Sequence, residues 1–280
     1  MNNLTRPLVR YHGGKWKLSE KIIPFFPNHR VYVEPYGGGA SILLRKARSY
    51  AEIYNDLDGE IVNLFRVVRD QGDELRTLLE LTPFARDEYR GSFPETTDPL
   101  EQARRTVIRS HMGFGSNALA RGVVSGFRSN SNRSGTTPAR DWRNLPDRLP
   151  DIIDRLRGVV IENRDALEVM GRHDGPDTLH YCDPPYVHTT RSGLVRPGSG
   201  SAVGYTHEMS DDDHRRFAAG VQSLTGMVIV SGYACDLYDH DLFRTWDRSE
   251  IPALADGARD RIEVLWLNEA AANQQMRLIA

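Results

Sequence analysis

The feature that most constrains this chain is an alternation of short apolar runs with amphipathic helical stretches, broken once and then resumed. Val31-Tyr32-Val33-Glu34 is a β-type run that stops at Pro35 and three glycines, and Ala51 to Tyr54 is a second that stops at Asn55-Asp56. Helical spacing separates and follows them: Leu18, Ile22, Phe25 and Phe26 within Lys15 to Phe26, a short stretch from Ala40 to Arg48, then Leu57, Ile61, Leu64, Phe65 and Val68 on one face. After about residue 82 the alternation stops, and residues 83–157 read as helices with a long polar loop. It resumes with strands at Val159–Glu162, Thr178–Cys182, Met227–Ser231 and Ile262–Leu267, with a helix opened by Ser210 before the third of these. Strands alternating with helices predict an α/β sandwich on a mostly parallel sheet. The interruption predicts a mainly helical domain, 83–157, inserted into an α/β domain formed by 1–82 and 158–280.

A chain of 280 residues with 39% apolar content can bury a substantial core. No apolar stretch approaches the roughly 20 residues needed to span a bilayer. Residues 1–30 show no signal-peptide pattern, and two cysteines make no disulfide framework, so the expected compartment is a reducing cytoplasm. The net charge of −2 conceals an asymmetry. From Gln102 to Arg140 there is no Asp or Glu, while Arg104, Arg105, Arg109, Arg121, Arg128, Arg133 and Arg140 give +7 over 39 residues and leave −9 elsewhere. Guanidinium groups among Gly, Ser, Asn and Thr suit phosphates and base edges, although a solvated basic surface has the same composition.

Glu34-Pro35-Tyr36-Gly37-Gly38-Gly39-Ala40 lies between the first strand and its helix, where glycines let a ligand approach the backbone at the mouth of an open sheet. It is not G-x-G-x-x-G, which weakens a dinucleotide reading. Asp56 ends the second strand, where an acid can accept from ribose hydroxyls; a tight turn and a helix N-cap are the plainer readings of the two features. Asp183-Pro184-Pro185-Tyr186 follows an apolar strand directly. Two prolines without N–H groups take the chain out of the sheet stiffly, presenting a carboxylate, carbonyls and a ring to one spot. Acceptors beside a stacking ring suit a planar base with an exocyclic amine.

These segments resemble, in order, the Dam-type DNA adenine (N6) methyltransferases. Tyr11-His12-Gly13-Gly14-Lys15 is similar to that family's N-terminal cofactor motif, Glu34 to Ala40 to its S-adenosylmethionine loop, and Asn55-Asp56 to its ribose-binding acid. Asn163-Arg164-Asp165-Ala166 resembles the segment holding the cofactor's adenine, and Asp183 to Tyr186 the catalytic tetrapeptide. Gly204-Tyr205-Thr206 and Arg261 to Asn268 fit later pieces. The resemblance implies a Rossmann-like methyltransferase sandwich with an inserted target-recognition domain. It further implies S-adenosylmethionine as the methyl donor, no metal, double-stranded DNA as the partner, no membrane, a monomer, and a bacterial or phage-infected bacterial cell. The cofactor contacts it implies are Tyr11, Lys15, Glu34, Pro35, Gly37, Gly38, Gly39, Asp56, Asp165 and Asp183. Asp183 and the Pro184 carbonyl would accept from the two hydrogens of the target amine, and Tyr186, braced by Pro185, would stack on the extruded base.

DNA contacts are expected from the seven arginines of the acid-free run and from Arg191, in a loop from His188 to Thr206 that is long enough to act as a lid. Asp211-Asp212-Asp213 follows Ser210 at a helix start, where acids complement the helix dipole, so it reads as capping and not as a metal site. His180 and Cys182 lack zinc-ligand spacing. The alternatives are methylation of cytosine N4 or of a protein glutamine, and an inactive DNA-binding module. Asp before Pro-Pro-Tyr favours adenine, and the basic insertion favours DNA.

Overall fold

The computed structural model of the chain describes residues 4–115, 119, 125–130, 135–190, 207–254 and 260–279. Seven strands form one sheet in the order β3-β2-β1-β4-β5-β7-β6. They are β1 (Val31–Glu34), β2 (Ala51–Asn55), β3 (Val159–Glu162), β4 (Thr178–Cys182), β5 (Met227–Gly232), β6 (Asp247–Leu254) and β7 (Asp260–Leu267). The first five run parallel; β7 is antiparallel to both β5 and β6.

The two-residue period of the strands divides the core into two layers. Tyr32, Leu179, Tyr181, Met227, Ile229, Leu265 and Leu267 point to one face, while Val33, Cys182, Val228, Val230, Val264 and Trp266 point to the other. Strands β4 and β5 are buried throughout, which is why they read as continuous apolar runs. Strand β6 escapes a sequence reading because it is a polar edge strand carrying Pro252, with only Ile251 buried among its placed side chains. Proline is tolerated there because one side of an edge strand needs no ladder hydrogen bond.

Helices α9 (Ala166–His173) and α10 (Asp211–Gln222) cover the second face with Val169, Met170, Phe217 and Val221. Ser210 caps α10 in a reciprocal capping box with Asp213, so the triple aspartate is a helix start. Near the N-terminus, Pro24 stops the expected long helix: α1 is only Ser19–Ile22 and continues as a 3₁₀ turn, Ile23–Phe25. Helix α2 (Ser41–Arg45) is likewise shorter than the spacing suggests.

Between β2 and β3 lie α3 (Gly59–Asp70), α4 (Gly72–Leu81), α5 (Arg86–Gly91), α6 (Pro99–Met112), α7 (Pro138–Arg143) and α8 (Leu149–Leu156). Helix α3 is capped by Asp58, which leaves Leu57 ahead of the helix and 46% exposed instead of on its buried face. Side chains on both sides of the expected boundary at 82/83 pack together. Tyr89, Val107, Ile108, Met112, Trp142 and Leu145 share one buried cluster with Tyr54, Leu64 and Phe65.

Helix α8 is also tied directly to the sheet. Its buried Arg155 forks onto Glu52 of β2 at 2.6 and 2.9 Å and donates to the Leu43 carbonyl, while Lys46 reaches the same carboxylate at 2.6 Å. Burial opposes ionisation of Glu52, but the Arg155 hydrogen bonds and the Lys46 charge outweigh it and hold the carboxyl below its ordinary range. The helical insertion therefore grows out of the sheet's own covering layer.

Candidate active site

Strand order reverses between β1 and β4, and in open α/β sheets such a point opens a crevice at the carboxyl ends of the strands. Four acids stand there, one beyond or at the end of each neighbouring strand: Glu34 on β1, Asp56 after β2, Asp165 after β3 and Asp183 after β4. All four line one cavity, together with Tyr11, Lys15, Pro35, Gly37, Gly38 and Gly39.

Local geometry explains the glycines. A Cβ on Gly37 would fall 2.1 Å from the Tyr54 ring, and Gly38 has φ +46° with the Tyr11 ring against it. Ala40 adopts φ 52° where α2 begins. The loop is stitched to β2: the Gly37 amide donates to the Asn55 carbonyl, the Tyr54 hydroxyl to the Gly38 carbonyl, and the Asn55 side-chain amide to the carbonyls of Pro35 and Arg164.

Asp56 accepts from the amides of Gly38 and Asp58, both at 2.8 Å. Burial nevertheless pushes it up to about 6, with those amides opposing. Glu34 accepts from the Tyr32 hydroxyl and the Leu43 amide, and burial pushes it up to about 8, so it is largely protonated at neutral pH. Asp165 is both a cap and a cavity wall. One oxygen caps α9 through the amides of Leu167 and Glu168, and the other takes Arg216 at 2.6 Å.

The tetrapeptide sits beside a buried cation. Lys15 donates to both oxygens of Asp183 at 2.8 Å, to the Gly13 carbonyl at 3.1 Å and to the Tyr186 hydroxyl. The Ser231 hydroxyl, from β5, donates to Asp183 at 3.0 Å. Tyr186 in turn donates to Glu263 of β7, with oxygens at 2.9 and 3.2 Å, and its ring lies 4.5 Å from that of Tyr233. The Glu263 carboxylate is 3.6 Å from Lys15. Burial pushes Glu263 up to about 7; Lys15 pulls the other way and the Asp183 charge adds to the rise. Pro185 lines the cavity beside Asp183.

Residues 11–254 match the family described as D12 class N6 adenine-specific DNA methyltransferase. The chain belongs to that family. It is 29% identical over 196 residues to a DNA adenine methylase of Haemophilus influenzae, covering 65% of this chain and 64% of the relative. It is 26% identical over 227 residues to the type II methyltransferase M1.LlaDCHI of Lactococcus lactis subsp. cremoris, covering 72% and 71%. With a DNA adenine methylase of Escherichia coli K12 it shares 25% over 193 residues, 65% of each chain. The chain thus spans just under two thirds of the length of these two DNA adenine methylases.

In a member of this family the basic run is a natural place to seek a nucleic-acid face, and part of it is engaged within the protein. Arg104 is paired with Glu101 and Glu88, at 2.7 and 3.0 Å. Arg105 is paired with Glu101 at 2.6 Å and donates to the Pro94 carbonyl. Arg109 is buried, donating to the Ser92 carbonyl and to Glu60 of α3. The Arg104 hydrogen bonds, outweighing burial, pull Glu101 down to about 2. Their partners are acids outside the run: Glu101 one turn earlier on the same helix, and Glu88 and Glu60 brought alongside by helix packing.

Arg140 is exposed on α7, and Arg128, half-buried, donates to the His111 carbonyl. Arg121, Arg133, Arg191, the greater part of the proposed lid and Gly204-Tyr205-Thr206 lie outside the described residues. Among the described residues no group of three His, Cys, Asp or Glu gathers to hold a metal, and no helix is long and apolar enough to cross a membrane.

Sequence reasoning did not single out Glu263, Ser231, Tyr233 or Arg216. Glu263 carried a signal: it is an acid inside an otherwise apolar strand, Ile262 to Leu267, and buried acids need partners. Ser231 and Arg216 carried none, since a serine ending a strand and an arginine on an amphipathic helix are ordinary.

Proposed function

We propose that the chain is a site-specific DNA methyltransferase that moves a methyl group from S-adenosylmethionine to the exocyclic N6 of an adenine extruded from double-stranded DNA. The observation that carries this reading is the single cavity walled by four strand-end acids, with Asp183 at its edge beside Lys15 and Tyr186. Acceptors so placed suit a ligand that is cationic and rich in O–H and N–H donors; a diphosphate would need backbone amides and basic groups instead. The residues therefore fit S-adenosylmethionine, whose methyl group is already activated on a sulfonium.

In this reading Asp56 accepts from the ribose hydroxyls and Asp165 from the adenine amine, with Arg216 giving up part of its hold. Tyr11, Glu34 and the Gly37–Gly39 backbone surround the remainder. The target amine is a poor nucleophile because its lone pair is delocalised into the ring. Asp183 and the Pro184 carbonyl accept its two hydrogens and direct the lone pair toward the methyl carbon, while Tyr186 stacks on the base. Asp183, hydrogen-bonded by Lys15 and Ser231, acts as orienter and acceptor, and the fixed groups around it supply most of the electrostatic stabilisation. Arg140, Arg128 and the basic segments around them grip phosphate, and the protein works as a monomer without a metal.

Incubation with labelled S-adenosylmethionine and unmethylated DNA, followed by nucleoside analysis, tests this reading. The expected product is 6-methyladenine. N4-methylcytosine would redirect the reading to the cytosine reaction, and cofactor binding without any methylated nucleoside would overturn it.

A further inference from the structure

Glu263 lies on β7, behind the tetrapeptide, with 1% of its surface exposed. It reaches the site through two groups. The Tyr186 hydroxyl accepts from Lys15 and donates to Glu263, so a chain of hydrogen bonds runs from the ammonium through the phenol to the carboxylate. Lys15 also stands directly between Glu263, at 3.6 Å, and Asp183, at 2.8 Å.

Two carboxylates therefore share one buried ammonium, which also donates to the Tyr186 hydroxyl and the Gly13 carbonyl. If Asp183 had Lys15 to itself, its charge would be matched and it would be a weaker acceptor toward an amine. A second carboxylate drawing on the same ammonium leaves negative charge on Asp183, in surroundings of low dielectric where that charge counts. The hydrogen bond from Tyr186 also fixes the rotation of a ring otherwise held by Tyr233 and by the Lys15 stem, whose ammonium lies 4.8 Å from the ring centre.

We propose that Glu263 is a positioning residue for methyl transfer, which anchors the Tyr186 ring and shares Lys15 so that Asp183 keeps its strength as an acceptor. The inference rests on the methyltransferase reading and goes beyond it in giving the antiparallel hairpin a part in the chemistry.

The test compares wild type with E263A, E263Q, Y186F and the E263A/Y186F double variant, on unmethylated plasmid DNA with S-adenosylmethionine. Single-turnover rate, KM for DNA, cofactor Kd and Tm are measured for each. E263Q keeps the volume and an acceptor for the Tyr186 hydroxyl, so it controls for folding. E263A is expected to slow transfer roughly 10- to 100-fold while KM for DNA and cofactor Kd stay within about threefold of wild type. E263Q is expected to fall between the two. Because one of the two routes from Glu263 runs through the Tyr186 hydroxyl, the double variant should lose less than the product of the single losses.

A wild-type rate in E263A overturns the inference, as do single losses that multiply in full. Parallel loss of rate, both affinities and Tm in E263A and E263Q alike marks a structural role and also overturns it. A wild-type protein that makes no methylated nucleoside removes the functional reading, and this inference with it.

Discussion

The cavity at the switch point and the arginine-rich helices after β2 were both marked by local sequence, and the fold treats them differently. In the cavity, Glu34, Asp56, Asp165 and Asp183 are far apart in the chain yet meet, because each is attached to the carboxyl end of a parallel strand. Along α6, Arg104, Arg105 and Arg109 are close in the chain, but acids from α3, α5 and the start of α6 neutralise them. Position at a strand end is transmitted by sheet topology, whereas a run of like charge says nothing about what will pack against it.

The largest effect that could break this contrast is at the tetrapeptide. Asp183→Ala should lower the methyl-transfer rate by about 10³ or more while DNA affinity, measured by filter binding, stays near wild type. Equal loss of both would make Asp183 a folding residue and the cavity no different from α6.

Arg109→Ala tests the other side. It leaves Glu60 without its partner and should cost about 3 kcal/mol of stability in urea melts. The salt dependence of DNA binding should be unchanged. A shallower salt slope with full stability would return Arg109 to the DNA face.

A smaller effect separates the acids within the cavity. Asp56 titrates at about 6, raised chiefly by burial, and its ionised form is the better acceptor of ribose hydroxyls. Cofactor affinity should therefore be full above that value and fall as pH drops through it, by roughly tenfold one unit below. Calorimetry across this range would check it, with Asp56→Asn expected to bind weakly and without that pH dependence. An unchanged profile in Asp56→Asn would assign the titration to another group.

The smallest effect belongs to the exposed remnant of the basic run. Arg140→Ala should reduce the slope of log K against log salt by about 1, with a few-fold loss of affinity at moderate ionic strength and no change in Tm. A full slope would place the phosphate grip elsewhere.

Six of the seven strands were legible because buried strands are largely apolar and stop at glycine, proline or polar residues. The seventh, β6, was not, because a polar edge strand with a proline gives no apolar period. The length of α1 was overestimated where apolar residues continued past Pro24, and that of α2 because the chain becomes extended at Lys46. The site was legible where chemistry and strand ends coincide, at Glu34, Asp56 and the tetrapeptide. It was illegible at Ser231 and Arg216, whose significance depends on which atoms stand opposite, and Glu263 showed only as an acid in an apolar strand.

By itself the sequence determined the strand–helix alternation, the order of the motifs and the chemical types available at each strand end, since these follow from periodicity and from residues fixed along the chain. Only the tertiary structure decided which charges remain free. It spent three arginines of a +7 run on acids of the helical layer and placed Glu263 of the hairpin against the Tyr186 hydroxyl and beside Lys15. Electrostatic interactions depend on distance through space and on burial, and neither is encoded by separation along the chain.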